Sequence, residues 1–165
     1  MLRKLLPLIP VLMCWLVPVP SVAESVIPAT GPVTGWPMPR FVSLKAAKAN
    51  MRTGPSRKHP IHWRYQRKSL PMMVIDEWDH WRKVVDSEGE SGWMHKSLLS
   101  GKRTAMIIGT EIRILRTAPS MAAPPVVRLS PRVVGTLAHC QEGWCHLTVD
   151  KYAGWLPAAH LFGGE

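Results

Sequence analysis

Short apolar runs separated by closely spaced turns set the organisation of this chain. Phe41-Val42-Ser43-Leu44 and Ala49-Asn50-Met51-Arg52 read as strands, the second halted by Gly54-Pro55. A polar and aromatic excursion follows from Ser56 to Ser69, containing Pro60, Trp63 and Tyr65. Then come a strand at Pro71–Ile75, a charged turn at Asp76–His80 and a strand at Trp81–Val85. A second turn, Asp86–Gly89, leads to a strand at Gly92–His95. Lys96–Leu99 is too short for an α-helix and suits one 3₁₀ turn. Five short strands at this spacing predict a small, closed or nearly closed β-barrel, because closure removes exposed sheet edges.

The pattern occurs twice. Trp81-Arg82-Lys83-Val84 running to Gly92-Trp93-Met94 returns as Trp144-Cys145-His146-Leu147 running to Gly154-Trp155-Leu156. The turn Arg52-Thr53-Gly54-Pro55-Ser56 returns as Arg116-Thr117-Ala118-Pro119-Ser120. From that arginine to the first tryptophan is 29 residues and then 28; from first tryptophan to second is 12 and then 11. Landmarks that keep register to within one residue predict tandem copies of one unit, over residues 41–101 and 104–163. Lys102-Arg103-Thr104 is so short a connection that the two barrels are expected to pack together. Ala118 in place of Gly54 requires a negative φ or some strain.

The residues before the first copy fall into two segments. Arg3 and Lys4, the apolar stretch Leu5–Val17 and the small residues Ser21-Val22-Ala23 form a secretory signal peptide, residues 1–23, with cleavage expected after Ala23. The protein is therefore expected in the periplasm or outside the cell, with no membrane span after cleavage. Residues 24–40 carry Pro28, Gly31, Pro32, Gly35, Pro37 and Pro39 and read as a disordered linker, in which Trp36 is the one large aromatic.

Charge and cysteine content then narrow the partners. The net charge is +10, and losing Arg3 and Lys4 leaves 10 − 2 = +8. That balance favours something anionic, such as a membrane surface, a cell-wall polymer, an acidic protein or nucleic acid, but confers no specificity by itself. Export argues against nucleic acid as a partner. Cys140 and Cys145 flank a turn and, in an oxidising compartment, are expected to form a disulfide. His139 and His146 beside them raise the question of a metal. Neighbours on a strand point to opposite faces, so these histidines and cysteines cannot converge on one ion, and no metal or other cofactor is expected. The sequence holds no Gly-rich phosphate loop, no His-Glu-x-x-His and no Gly-x-Ser-x-Gly, and its carboxylates sit mainly in turns such as Asp76, Glu77 and Asp79. An enzyme is not expected.

Asn50-Met51-Arg52-Thr53-Gly54-Pro55-Ser56, the tryptophan opening a central strand, and Gly92-Trp93 before a short leucine-ending segment resemble a bacterial SH3 domain. Pro60-Ile61-His62-Trp63-Arg64-Tyr65 and Ser97-Leu98-Leu99-Ser100-Gly101 resemble the subfamily found in exported proteobacterial proteins. The resemblance implies an all-β chain of two tandem SH3-like barrels, the second degenerate. It also implies a non-catalytic module recognising peptidoglycan or a peptide. The alternative is a scaffold or regulatory subunit docking onto a larger periplasmic protein.

By analogy with aromatic-lined SH3 grooves, Trp63, Tyr65 and Trp78 are the candidate ligand surface of copy one. Arg57, Arg64 and Arg67, with Lys58 and Lys68, would favour an anionic ligand. Aligning Pro124 with Pro60 puts Val127 and Leu129 where copy one has Trp63 and Tyr65, so a single site is expected on copy one. The recurring Trp81, Trp93, Trp144 and Trp155 are assigned to filling the small cores.

Overall fold

A computed structural model describes residues 29–164. The proposed signal peptide and residues 24–28 of the linker lie outside the described residues.

Copy one has seven strands: β1 (Arg40–Leu44), β2 (Ala49–Arg52), β3 (Ile61–Tyr65), β4 (Pro71–Trp78), β5 (Trp81–Val85), β6 (Ser91–His95) and β7 (Leu99–Ser100). A 3₁₀ turn at Lys96–Leu98 precedes β7, where a single turn was expected. Copy two has β8 (Thr104–Ile107), β9 (Arg113–Arg116), β10 (Pro125–Leu129), β11 (Val134–Gln141), β12 (Trp144–Val149), β13 (Tyr152–Pro157) and β14 (Leu161–Phe162). The sheet orders are β3-β2-β6-β5-β4-β1-β7 and β10-β9-β13-β12-β11-β8-β14. Adding seven to each label of the first gives the second, so the copies share one topology. The excursion from Ser56 to Ser69 is not all loop: its centre is β3, paired antiparallel to β2. Proline and charge mask that strand in the sequence, which an edge position tolerates.

Each sheet curls around its own apolar cluster. Leu44, Ala49, Met51, Tyr65, Met72, Val74, Val84 and Met94 fill the first. Ala105, Ile107, Leu115, Leu129, Leu137, Cys145, Leu147, Leu156 and Leu161 fill the second. Of the four recurring tryptophans Trp81 is buried, as expected, although it belongs to neither apolar cluster, whereas Trp93, Trp144 and Trp155 are only half-buried and do not fill the cores. Strand alternation gives the reason: Gly92 and Met94 are buried, so Trp93 between them faces outward and is only half-buried, as is Trp155 between Gly154 and Leu156. Gly92 is required because a Cβ there would lie 2.7 Å from the Arg52 carbonyl oxygen, and Gly154 stands in the same relation to Arg116.

The repeated Arg-Thr-x-Pro-Ser motif is a self-clamping turn. Arg52 Nη1 donates to the His59 carbonyl and Arg116 Nη1 to the Ala123 carbonyl, both at 2.7 Å. Neither Gly54 nor Ala118 has a positive φ, so Ala118 is unstrained. Gly54 instead makes room for the His59 ring, which lies 2.6 Å from where a Cβ would be and would have to swing aside for one. Ala123 occupies the matching position in copy two, which leaves room for Ala118.

The second half of the expected linker is not disordered. Ala29–Arg40 forms a turn closed by Gly31 N–H donating to the Trp36 carbonyl at 2.8 Å. It is held on the barrel by Glu77, which accepts from the backbone N–H of Val33 and Thr34 and from the Thr34 hydroxyl, and pairs with Arg40. A buried carboxylate attracts donors even from a segment poor in apolar residues. The barrels also touch. Thr104 Oγ1 donates to the Ser69 carbonyl at 2.8 Å, Arg132 donates to Glu88 at 2.6 Å, and Phe41 meets Phe162 edge-on at 5.1 Å.

Candidate functional site

On β2 the side chains of Ala49 and Met51 face the core, so Lys48, Asn50 and Arg52 share the outer face. These three, with Arg57 from the following loop, Trp81 from the start of β5, His95 from the end of β6, and Ser97 and Leu98 from the 3₁₀ turn, line a cleft of about 350 Å³. That volume suits a small ligand or a few residues of a larger one. No carboxylate lines it.

Trp81 and His95 are directly opposed in the β5–β6 register, their rings edge-to-face at 5.5 Å. His95 Nδ1 accepts from the Ser97 backbone N–H at 3.3 Å and lies 2.8 Å from the Ser97 hydroxyl. Accepting at Nδ1 places the ring proton on Nε2. Burial, then the neighbouring charges of His80, Arg57 and Lys96, hold its pKa below the ordinary histidine value, only partly offset by Asp79. The cleft therefore combines an aromatic wall, a fixed neutral donor and excess positive charge, arranged to accept an anion.

The residues expected to bind ligand are only partly brought together. Arg57 lines the cleft. Arg64 is exposed on β3 and registers opposite Asn50, which places it at the cleft margin. Tyr65 is 7% exposed and belongs to the core, its hydroxyl donating to Asp86 Oδ2 at 2.7 Å. Burial, then Asp86, pushes its phenol pKa up, so Tyr65 is a structural donor rather than a ligand contact. Arg67 donates to the Arg132 carbonyl at 2.9 Å and belongs to the contact between copies. Trp63 and Trp78 are 49% and 65% exposed, but they sit on β3 and β4, separated in the sheet by β2, β6 and β5. Trp81, buried as expected, also lines the cleft, while Trp144 is half-buried. For Lys48 the sequence carries a signal, the alternation Lys48, Asn50, Arg52 on one strand face, whereas nothing local marks His95 as a cleft residue.

The same cleft exists in copy two with different chemistry. Ile112, Ile114, Arg116, Met121, Pro157 and His160 stand where copy one has Lys48, Asn50, Arg52, Arg57, His95 and Leu98. With Arg113 and Leu156 they line about 150 Å³.

The β4–β5 hairpin and its counterpart differ in a parallel way. Glu77 registers opposite Arg82 and pairs with its Nε at 3.3 Å, both buried. Cys140 and Cys145 occupy the matching register and form the expected disulfide. His139 and His146 stack on the other face, centroids 6.0 Å apart, each edge-on to Trp155 at 5.2 Å. Among the described residues no group of three or more metal-binding side chains converges.

A family profile described as bacterial SH3 domain matches residues 45–101 and again 110–163. The chain belongs to the bacterial SH3 domain family. Both SH3 copies therefore carry the repeat that the paired landmarks predict. No curated protein sequence matches the chain. Among solved structures, NlpC2 from Trichomonas vaginalis aligns at 11% identity and TM-score 0.35, over 75% of this chain and 48% of its own. NlpC1 from the same organism aligns at 11% identity and TM-score 0.34, over 83% and 49%. The chain spans about half the length of these two structures. A likeness this distant carries no functional weight.

Proposed function

We propose that the protein is an exported, non-catalytic binding module that takes an anionic, peptide-bearing cell-wall ligand in the copy-one cleft. Bacterial SH3 domains are often cell-wall or peptidoglycan binding modules, which supports the class of ligand. The observation that carries the reading is the lining of that cleft: Lys48, Arg52 and Arg57 beside Trp81 and His95, with no carboxylate among them. Stem peptides of peptidoglycan offer carboxylates for the cations and flat or aliphatic surface for the indole. Arg52 is already committed to the His59 carbonyl through Nη1, so Arg57 and Lys48, both exposed, are the cations assigned to the ligand.

The test is retention of the purified exported protein on isolated peptidoglycan sacculi. Saturable binding, with chemical-shift changes at the Trp81 indole and His95 ring on adding soluble wall fragments, is the expected result. Absence of saturable binding overturns the reading in favour of a scaffold that docks onto a larger protein.

A further inference from the structure

The copy-two cleft has lost most of its polar lining, yet it contains one unsatisfied donor. Ile112 and Met121 are 58% and 67% exposed, and with Ile114 they form an apolar rim where copy one presents Lys48, Arg57 and Asn50. Arg113 occupies the core-facing register of β9, where copy one has the buried Ala49. Its Nε is buried and has no hydrogen-bond partner among the described residues. Leaving a buried donor of a charged group unpaired is costly, so an acceptor supplied from outside would be strongly favoured. His160 lines the same cleft, and burial, then the nearby Arg113, holds its pKa below the ordinary value, which favours the neutral ring. No carboxylate lines the cleft.

We infer that the copy-two cleft binds the C-terminus of a peptide ending in an aliphatic residue. The terminal carboxylate meets the Arg113 guanidinium, and the last side chain lies against Ile112, Ile114 and Met121. Size decides between a peptide end and a longer apolar chain: about 150 Å³ is well below the roughly 300 Å³ at which pockets for whole small molecules begin. One side chain with its carboxylate fits; an extended acyl chain does not. This site is separate from the cleft proposed for the cell-wall ligand, and either can fail without the other.

Methyl-detected NMR of the whole exported protein tests it, with the probe acetyl-Gly-Gly-Ser-Leu as free acid, the same peptide as C-terminal amide, and octanoate. The free acid is expected to shift the methyl signals of Ile112, Ile114 and Met121 saturably. The amide is expected to bind at least about tenfold more weakly, the loss of one charge-assisted hydrogen bond. Arg113→Gln is expected to bring the free acid down to the affinity of the amide, and the comparison of the two peptides on the unaltered protein does not depend on that variant folding. Equal binding of acid and amide, octanoate binding as tightly as the peptide, or shifts confined to other methyls would each overturn the proposal.

Discussion

The hairpins β4–β5 and β11–β12 have matching register and the same place in their sheets, yet one is tied by an ion pair and the other by a disulfide. In copy one the pair Glu77–Arg82 is buried beneath the Gly31–Thr34 turn, whose N–H groups and hydroxyl also bind Glu77. In copy two the Cys140–Cys145 sulfurs lie 3.1 and 3.2 Å from the Gly164 carbonyl oxygen, contacts rather than hydrogen bonds because a disulfide has no S–H. Each clamp is covered by a segment that flanks the barrel strands, the Gly31–Thr34 turn on one and Gly164 on the other. The clefts diverge in the same sense. A fixed backbone frame keeps the geometry of each position, while the residue placed there decides whether it is basic, apolar or covalently tied.

The largest expected effect comes from breaking the copy-one clamp. Glu77→Ala leaves the Arg40 and Arg82 guanidinium groups without their shared carboxylate, and breaking a buried pair in this way costs about 3–5 kcal/mol. Denaturant unfolding followed by domain-specific NMR signals should show copy one destabilised and protease access gained before Arg40. Replacing both Cys140 and Cys145 by serine should cost roughly 2 kcal/mol, as expected for so short a closed loop, and should act first on copy two. If the two losses fell on both copies alike, the barrels would unfold as one unit and the contrast between clamps would lose its meaning.

Tyr65→Phe sharpens the comparison at a smaller scale. It leaves Asp86 accepting only from the backbone N–H groups of Glu88 and Glu90, with an expected loss of about 1–2 kcal/mol. Trp63→Ala, on the edge strand opposite Met51 and 49% exposed, should cost less again, about 1 kcal/mol or below.

Acid separates the copies further. Burial pushes the Glu77 carboxyl up, but hydrogen bonds from Arg40 and Thr34 outweigh it and hold the pKa down to about 2, against 4.5 for the free group. A depressed carboxyl contributes stability that is whole above pH 4.5 and is lost as pH falls towards 2. The N-terminal turn should accordingly stay docked through mild acid and release near the bottom of that range, while the disulfide of copy two does not titrate. His95 has the same sign in a higher pH window: its lowered pKa means the unfolded chain takes up a proton first. Its contribution is intact above 6.5 and erodes as pH falls below that value, read by the ring-carbon shifts of His95.

The barrels were legible in the sequence because turns and alternation are local, and the repeat doubled every signal. β3 was not, since its pairing to β2 depends on an edge position that tolerates Pro60 beside it and an exposed Trp63 within it. The tryptophans misled for a related reason. Large apolar side chains suggest a core, and Trp81 is indeed buried, but Met51, Met72 and Met94 fill the centre of copy one while Trp93, Trp144 and Trp155 stay half-buried. The basic residues could be seen only as a run along the chain. Which of them converge is a tertiary matter: Arg57 reaches the cleft, whereas Arg67 is committed to the contact with copy two.

The central claim is that copy one binds its ligand through a particular cleft rather than through net charge. Retention on isolated sacculi of Arg57→Ala and of Lys151→Ala, each removing one exposed cation, tests it most directly. The account predicts that Arg57→Ala weakens retention about tenfold or more and that Lys151→Ala leaves it unchanged. Equal weakening by both substitutions would contradict it.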